Sequence, residues 1–222
     1  IVRKYAPNAI LHTDAVQAAC WIDMREITPL VDVLTLSSHK FGGPKGVGVM
    51  VLKTGKHLEP LILGGGQERD RRSGTHNVAG IIATAKALEV TDSTRVSECE
   101  RVSVMRDRLV DEIRAALDGV LETVPRQHRV PGAAHLCFSG VENEALLFLL
   151  DQVDVCASAA SACASGAMEP SHVLEAMGIE RSWSNGALRL SLGHTTTRQH
   201  VQAAVEATVA AASRLGAKVS VS

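Results

Sequence analysis

Residues 31–46 read VDVLTLSSHKFGGPKG, in which an apolar run ends in two serines, His39 and Lys40 and then enters a glycine-rich turn. Residues 31–36 predict a buried strand, so Lys40 stands at its carboxyl end. An amine that is shielded from bulk water is available in its neutral, nucleophilic form for Schiff-base chemistry. The alternative is a solvated loop with an ordinary amine. The grouping of hydroxyls, imidazole, lysine and glycine turn at one strand end favours the catalytic interpretation.

Short apolar runs on both sides of this stretch predict two more strands of the same sheet, at residues 9–13 and 47–53. Because these runs are rich in Val, Ile and Leu and are separated by turn signals, we expect a sheet that is buried on both faces. Residues 77–89 then have the apolar spacing of a helix. Together these elements predict an α/β arrangement.

The character of the sequence changes at residues 91–93 (TDS), which offer N-caps for a charged amphipathic helix that reaches about Leu117. Further helices are expected at residues 143–150, 170–177 and 197–215, and further strands at residues 121–124, 135–138, 153–157 and 187–192. The sequence therefore predicts a first domain at residues 1–92 and a second, α+β domain at residues 93–222.

The composition excludes several classes of protein. The 222 residues are 45% apolar and carry a formal net charge of -1, which gives no electrostatic reason to expect nucleic acid or an anionic membrane as partner. Five cysteines without a CxxC pair argue against a disulfide framework and fit a reducing cytoplasm. The sequence shows no signal peptide and no long uncharged apolar span. Residue 1 is an isoleucine in a helix-like stretch that is already ending, so we expect the later part of a longer chain.

Two further clusters suit a cofactor that carries a ring nitrogen and a phosphate. Asp14 follows the first predicted strand and precedes Gln17 by three residues. A carboxylate there can pair with a protonated ring nitrogen, as pyridoxal phosphate enzymes require, whereas a turn aspartate that caps the next segment is the commoner alternative. The loop at residues 64–75 (GGGQERDRRSGT) precedes a helix, so its amides and Thr75 could hold a phosphate oxygen. A flexible surface loop with solvated arginines is the alternative.

Residues 157–166 read ASAASACASG, a run of small side chains around one thiol, Cys163. Small side chains leave the backbone free, which would let a thiol travel between a buried cofactor and an external acceptor. The alternative is a tight buried turn with an inert thiol. The remaining cysteines lie in helix-like or strand-like contexts and are expected to be packing residues; they are Cys20, Cys99, Cys137 and Cys156.

Arg189 lies in an apolar strand, ALRLSLG at residues 187–193. A charge in such a strand needs a partner, and a guanidinium fork matches a substrate carboxylate in bidentate fashion. A structural ion pair is the alternative, and the sequence leaves the two open. His135 and Cys137 alternate on another predicted strand, but no further ligand pair supports a metal site.

Several motifs of this chain occur together in one known family. They are HTDAVQ (12–17), SSHKFGGPKG (37–46), GGGQERDRRSGTHN (64–77), SACASG (161–166), EPSHVL (169–174) and LRLSLG (188–193). In these motifs and their order the chain resembles the group I cysteine desulfurases of NifS/IscS type, within the class V aminotransferase family, over nearly its whole length. The lysine and cysteine motifs are the most specific. The resemblance implies part of the fold type I, aspartate aminotransferase-like large domain of pyridoxal phosphate enzymes, followed by an α+β small domain.

Carried over residue by residue, the resemblance implies a cofactor site for pyridoxal 5′-phosphate. Lys40 would form the Schiff base with the cofactor. Asp14 would pair with the pyridine nitrogen, and Gln17 would hydrogen-bond the phenolic oxygen. Ser37 and His39 would bind the phosphate.

The resemblance also implies roles in catalysis and in a homodimer. Thr75 would reach the phosphate of the neighbouring subunit, and Arg189 would bind the carboxylate of L-cysteine. Lys40 would move the α-proton. Cys163 would attack the substrate sulfur as a thiolate, which leaves a persulfide on the enzyme and releases L-alanine. An iron–sulfur scaffold or a thiolation carrier would then accept the sulfur in the cytoplasm.

One departure from the family is large. The family's chain is nearly twice as long, and its amino-terminal half supplies a histidine that stacks on the cofactor ring, an asparagine near the substrate and further phosphate contacts. None of these is present in this sequence, so we expect a fragment or a truncated product. The alternatives are a related pyridoxal phosphate lyase or aminotransferase, including one that acts on selenocysteine, and a non-catalytic module that keeps a dimer or scaffold-docking surface.

Overall fold

The computed structural model describes residues 1–159 and 171–220, and the chain divides into two compact units, Ile1–Ser97 (the first unit) and Glu98–Ser222 (the second unit). The helices and strands in chain order are α1 (Val2–Tyr5), β1 (His12–Asp14), α2 (Met24–Ile27), β2 (Val33–Ser37), β3 (Gly48–Leu52), α3 (Gln67–Asp70), α4 (Val78–Ala116), β4 (Val120–Glu122), β5 (Ala133–Phe138), α5 (Asn143–Asp151), α6 (His172–Ala176), α7 (Arg181–Ser184), β6 (Ala187–Ser191) and α8 (Arg198–Arg214). Short 3-10 turns lie at Thr28–Leu30, Ser38–Phe41 and Arg126–His128. The assignment of residues 1–92 to the large domain and of residues 93–222 to the small domain stays a prediction.

The sheet of the first unit has the order β1–β2–β3. β1 runs parallel to β2, with Asp14 opposite Thr35, and β3 runs antiparallel to β2, with Val33 opposite Leu52. The expected burial on both faces of this sheet is wrong, because β2 is largely buried whereas most residues of β1 and β3 are exposed. Among the described residues β1 and β3 are edge strands, and an edge strand has a neighbour on one side only.

The break that the sequence predicted at residues 91–93 is absent, because α4 is one continuous helix of 39 residues. The hydroxyls of Thr91 and Ser93, which were expected to cap a new helix, donate to carbonyl groups instead. Ser93 and Thr94 donate to the carbonyl of Val90, both at 2.9 Å, and Thr91 donates to the carbonyl of Phe41 at 3.1 Å. Ser and Thr side chains inside a helix often satisfy themselves on the preceding turn in this way, so their presence does not require a helix start.

The second unit contains an antiparallel sheet of the order β4–β5–β6. Side chains alternate along β5, and Ala134, Leu136 and Phe138 are fully buried. On the opposite face Cys137 forms a small cluster with Leu174 and its neighbours. The predicted strand at residues 153–157 is wrong: these residues are not in a strand, and the next residue, Ser158, forms an isolated bridge to β6.

The last helix, α8, confirms the sequence prediction for residues 197–215. Its N-cap is Thr197, whose hydroxyl accepts from the His200 amide at 3.2 Å while His200 Nδ1 accepts from the Thr197 amide at 3.4 Å. This reciprocal pair satisfies two amides that a helix start leaves without partners. None of the helices described here combines the length and the apolar character needed to traverse a lipid bilayer.

Candidate active site

The carboxyl ends of β1 and β2 meet at one edge of the first sheet because these two strands are parallel. Asp14 is the last residue of β1 and stands opposite Thr35, and Ser37 ends β2 two residues later. Strand spacing and rise place the Cα atoms of Asp14 and Ser37 about 8 Å apart. The carboxylate and the start of the lysine turn therefore share one edge of the sheet.

Asp14 presents its carboxylate to solvent at this edge. Oδ1 accepts from the Val16 amide at 3.1 Å, an Asx-type contact that fixes the turn after β1. Within the described residues Oδ2 has no hydrogen bond, so it is available to a donor outside the protein chain. Gln17 lies in the same turn and is exposed.

The lysine turn, Ser38–Phe41, is fixed by contacts of its backbone and of the buried Ser38. Ser38 accepts a hydrogen bond from Thr84 of α4 at 2.9 Å, and its carbonyl accepts from the Gly43 amide at 3.0 Å. A Cβ at Gly43 would lie 2.0 Å from Ser38 Oγ, so a larger residue here would displace the Ser38 hydroxyl. The turn is thus a rigid base for the side chains that project from it.

The two side chains of the turn that were predicted to be functional, His39 and Lys40, are both exposed. His39 Nδ1 lies 2.9 Å from Ser37 Oγ, which joins the hydroxyl and the imidazole that were predicted to bind phosphate. The expectation that the Lys40 amine is shielded from water is wrong for this chain, because among the described residues of the first unit nothing covers the strand edge.

The loop of residues 64–77 is ordered by its own polar groups. Ser73 donates to the Gly65 carbonyl at 2.7 Å, and the Gly74 amide donates to Gln67 Oε1 at 3.1 Å. Residues 68–70 take positive φ angles of 51° to 61°, which side chains rarely adopt. Thr75 is exposed and lies three residues before α4 begins.

Arg189 lies in the second unit, at the centre of β6, and its side chain is half-buried. Within residues 1–159 and 171–220 its guanidinium has no carboxylate partner and no side-chain hydrogen bond. The structural ion pair, which the sequence left open, is therefore not formed inside the described part of the chain. A half-buried guanidinium without a counter-charge suits a site for an anionic ligand.

Cys163 lies outside the described residues. Of the other cysteines, Cys137 is buried, and burial raises the pKa of its thiol to about 11, which fits the predicted packing role. Cys156 is exposed, so the packing prediction is wrong for this residue. It lies after α5, two residues before the bridge that Ser158 forms with β6.

The sequence analysis did not identify two hydroxyls that contact Ser38 and His135. Thr84 holds Ser38, and Thr123 lies 2.9 Å from the Nδ1 atom of His135. A signal for Thr84 exists, since a lone hydroxyl on the apolar face of a helix needs a buried acceptor. Thr123 has no comparable signal, because its contact depends on the register between two strands.

The fold matches about half of a larger known architecture. A solved structure titled NifS-like protein superposes with a TM-score of 0.83 and 31% identity over 94% of this chain and 54% of that one. The predicted fold, part of the type I aminotransferase-like architecture, is thereby confirmed. The family model described as aminotransferase class-V matches residues 1–204, and the chain belongs to this family.

Two curated relatives are similar to this chain over most of its length. One is the cysteine desulfurase IscS of Clostridium botulinum, 40% identical over 201 residues, which are 90% of this chain and 51% of the relative. The other is the IscS-like cysteine desulfurase of Mycobacterium tuberculosis, 40% identical over 205 residues, which are 92% and 52% of the two chains. The chain therefore spans about half the length of the curated relatives it matches.

The residues at the edge of the first sheet fit pyridoxal 5′-phosphate, on which class V aminotransferases depend. Lys40 offers an amine for the cofactor's aldehyde, and Asp14 has a free carboxylate oxygen for a ring N–H. Ser37 and His39 offer a hydroxyl and an imidazole for a phosphate, and they already lie within hydrogen-bond distance of each other. The donor set thus matches the three polar parts of the cofactor.

Proposed function

We propose that this chain is part of a cysteine desulfurase that removes sulfur from L-cysteine and passes it to an acceptor. The observation that carries the proposal is the shared edge of β1 and β2, where Asp14 and the Lys40 turn project together in a class V aminotransferase. The half-buried guanidinium of Arg189, which has no carboxylate partner among the described residues, and the names of the relatives support the same activity.

Several parts of the proposed reaction have a residue in this chain. When bound, pyridoxal 5′-phosphate supplies an electron sink that acidifies the substrate's α-proton and loosens its Cβ–S bond. The amine of Lys40 holds the cofactor before the reaction and moves the α-proton during it. Asp14 keeps the ring nitrogen protonated, and Arg189 orients the substrate through its carboxylate.

Cys163 receives the sulfur in the proposal. Its thiolate bonds to the sulfur of L-cysteine as the Cβ–S bond breaks, and the former Cβ keeps the electron pair and takes up a proton. The products are L-alanine and a persulfide on Cys163, so no external oxidant is required. An iron–sulfur scaffold or a thiolation carrier would accept the sulfur, and the working form would be a homodimer in the reducing cytoplasm.

The test is to incubate the purified chain with pyridoxal 5′-phosphate and L-cysteine, alkylate it, and locate added sulfur by peptide mass spectrometry. The expected result is a persulfide on Cys163 and release of L-alanine, both lost in Cys163→Ser. Cys156→Ser is the matched control, because this exposed thiol lies seven residues away; its alanine release is expected within about twofold of the wild type.

Two outcomes would contradict the proposal. Undiminished alanine release by Cys163→Ser would exclude the persulfide route and favour a related lyase or aminotransferase. Absence of both persulfide and alanine from the wild-type chain would restrict it to a non-catalytic role.

A further inference from the structure

The lysine turn ends in a way that leaves the carbonyls of Lys40 and Phe41 without backbone donors among the described residues. A 3-10 turn that continued would pair these carbonyls with the amides three residues later, at Gly43 and Pro44. The Gly43 amide donates to the Ser38 carbonyl instead, at 3.0 Å, and proline has no N–H. Both carbonyls therefore need donors from elsewhere in the chain or from water.

Side chains from two other segments supply these donors. The thiol of Cys20, in the stretch after β1, donates to the Lys40 carbonyl, with 3.4 Å between Sγ and the oxygen. The hydroxyl of Thr91, on α4, donates to the Phe41 carbonyl at 3.1 Å. Because a carbonyl oxygen only accepts, the direction of both hydrogen bonds is fixed. Two consecutive peptide groups are thus held by two different segments of the first unit.

The first of these segments also carries a predicted cofactor residue. Cys20 lies in the segment that begins at Asp14. Its neighbour Ala19 is buried and belongs to the same apolar cluster as Phe41, which fixes the segment beside the lysine turn. The hydrogen bond from Cys20 therefore joins the segment proposed to hold the cofactor's ring nitrogen to the turn proposed to hold its aldehyde.

The second segment is the face of α4 that packs on the lysine turn. Thr84 Oγ1 lies 2.9 Å from Ser38 Oγ, and Ala87 and Leu88 pack against the apolar cluster that contains the ring of the turn. Together with Thr91 these residues have the i, i+3, i+4, i+7 spacing of one helix face. Both hydroxyls thus hold the turn from one regular helix.

We propose that Cys20 and Thr91 are positioning residues that fix the main chain at Lys40, so that its amine is aimed at a cofactor held by Asp14. Because the Lys40 side chain is exposed, its starting direction is set by the main chain of the turn. The inference rests on the proposed function, in which Lys40 forms the Schiff base. It adds two residues that act on the lysine through its backbone.

The first test is amide hydrogen exchange of the chain without cofactor, read by NMR at Gly43, whose amide closes the turn. Thr91→Val removes the donor and should accelerate this exchange about fivefold, the usual effect of losing one hydrogen bond. Thr91→Ser, which restores the hydroxyl, should return the rate to that of the wild type. The Ala15 amide, which donates to the Thr35 carbonyl at 2.9 Å, is the reference and should not change, since global unfolding would accelerate both amides.

Two more variants complete this test. Cys20→Ala should accelerate exchange at Gly43 about twofold, because a thiol is a weaker donor than a hydroxyl, and Cys20→Ser should reverse the effect. Thr94→Val is the matched control on the same helix. Its hydroxyl donates within α4, to the Val90 carbonyl at 2.9 Å, so its loss should leave the lysine turn unchanged.

Trapping of the Schiff base supplies a readout that a merely structural role would not move. Folded protein is treated with pyridoxal 5′-phosphate and reduced with borohydride, and labelling at Lys40 is divided by labelling at the exposed Lys45. Thr91→Val should lower this ratio about fivefold, and Thr91→Ser should restore it. A role in folding alone would lower the yield of folded protein and leave the ratio unchanged.

The outcomes separate this inference from the proposed function. Unchanged exchange at Gly43 in folded Thr91→Val and Cys20→Ala would overturn the inference, and so would faster exchange with an unchanged labelling ratio. If wild-type Lys40 is not labelled, the proposed function fails, and exchange at Gly43 still decides whether the two residues fix the main chain. Where Thr91→Val does not fold, Cys20→Ala decides by the same two measurements.

Discussion

The two units of the chain differ in how completely they bury their apolar side chains. In the second unit large side chains of sheet and helices are fully buried, among them Leu109, Phe138 and Leu150. In the first unit, among the described residues, Leu34 is the one large side chain buried to that degree, whereas Leu61 is 99% exposed. The second unit therefore closes its own core, and the first does not.

Because of this difference, we expect the stability of the fold and the proposed chemistry to depend on different units. The predicted cofactor residues, from Asp14 to Thr75, all lie in the first unit, where they are exposed or half-buried. Arg189 and His135 lie opposite each other in the second unit, within a well-packed sheet. We expect substitutions in the second unit to act mainly on folding, and substitutions at the edge of the first sheet to act mainly on cofactor binding.

Trp21 and Trp183 lie in different units, so the fluorescence of single-tryptophan variants can report on the unfolding of each unit separately.

The largest expected effect is the loss of a fully buried ring. Phe138→Ala should lower the unfolding free energy of the second unit by about 3–5 kcal/mol, because it leaves a cavity in a closed core. Leu63→Ser in the first unit should change stability by less than about 0.5 kcal/mol, because Leu63 is exposed. Denaturant titration followed by fluorescence measures both. Equal losses of unfolding free energy in the two variants would show that the two units bury their apolar side chains equally well.

The next largest effect is expected at two glycines that other atoms of the chain approach closely, Gly186 and Gly43. A Cβ at Gly186 would lie 2.1 Å from the carbonyl oxygen of Phe138, which is backbone and cannot rotate away. A Cβ at Gly43 would meet the hydroxyl of Ser38, which can. We expect Gly186→Ala to cost about 3 kcal/mol and Gly43→Ala about 1 kcal/mol. The reverse order in thermal unfolding would contradict this comparison.

A smaller effect is expected at Arg101, which supports the turn that follows β6. Its guanidinium donates to the carbonyls of Gly193, His194 and Thr196 at 2.8–3.3 Å and pairs with Glu98. Arg101→Ala should destabilise the second unit by about 1 kcal/mol, because the charged donor is lost while the carbonyls remain accessible to water. Thermal unfolding measures the loss of stability, and an unchanged midpoint would show that the turn does not depend on Arg101.

The smallest effect is the pH dependence that His135 contributes. Because its pKa is lowered in the folded state, the unfolded state binds the proton more readily, and the contribution to stability is lost as pH falls below about 6.5. His135→Asn removes this dependence, so its deficit relative to the wild type should narrow between about pH 7.5 and about pH 5.5. Unfolding midpoints measured across this range test the sign. A deficit that widens on acidification would mean that His135 is charged in the folded protein.

The sequence predicted best what depends on local pattern. The strand predicted at residues 135–138 and the helices predicted at residues 143–150 and 197–215 correspond to β5, α5 and α8 of the structure. The sequence placed Asp14 and Lys40 each at a strand end, and the parallel pairing of β1 and β2 in the structure brings these ends to one edge.

Other features could not be predicted because they depend on distant partners. Ser93 and Thr94 have the residue types of helix caps, and only the folded chain shows that they turn back onto Val90 within one long helix. The exposure of β3 depends on which chains lie against it, and its apolar sequence alone suggested burial. The contact of Thr123 with His135 depends on strand register. Patterns therefore identify elements, whereas supporting contacts require coordinates.

The most direct test of the account is to treat the wild-type chain with pyridoxal 5′-phosphate, reduce it with borohydride and map the modified lysine by mass spectrometry. Reduction traps a Schiff base even where binding is weak, so the result does not depend on turnover. The account predicts modification at Lys40, loss of labelling in Lys40→Ala and full labelling in Lys45→Arg, a control five residues away in the same stretch. Labelling spread evenly over the lysines, or unchanged in Lys40→Ala, would contradict a cofactor site at the edge of the first sheet.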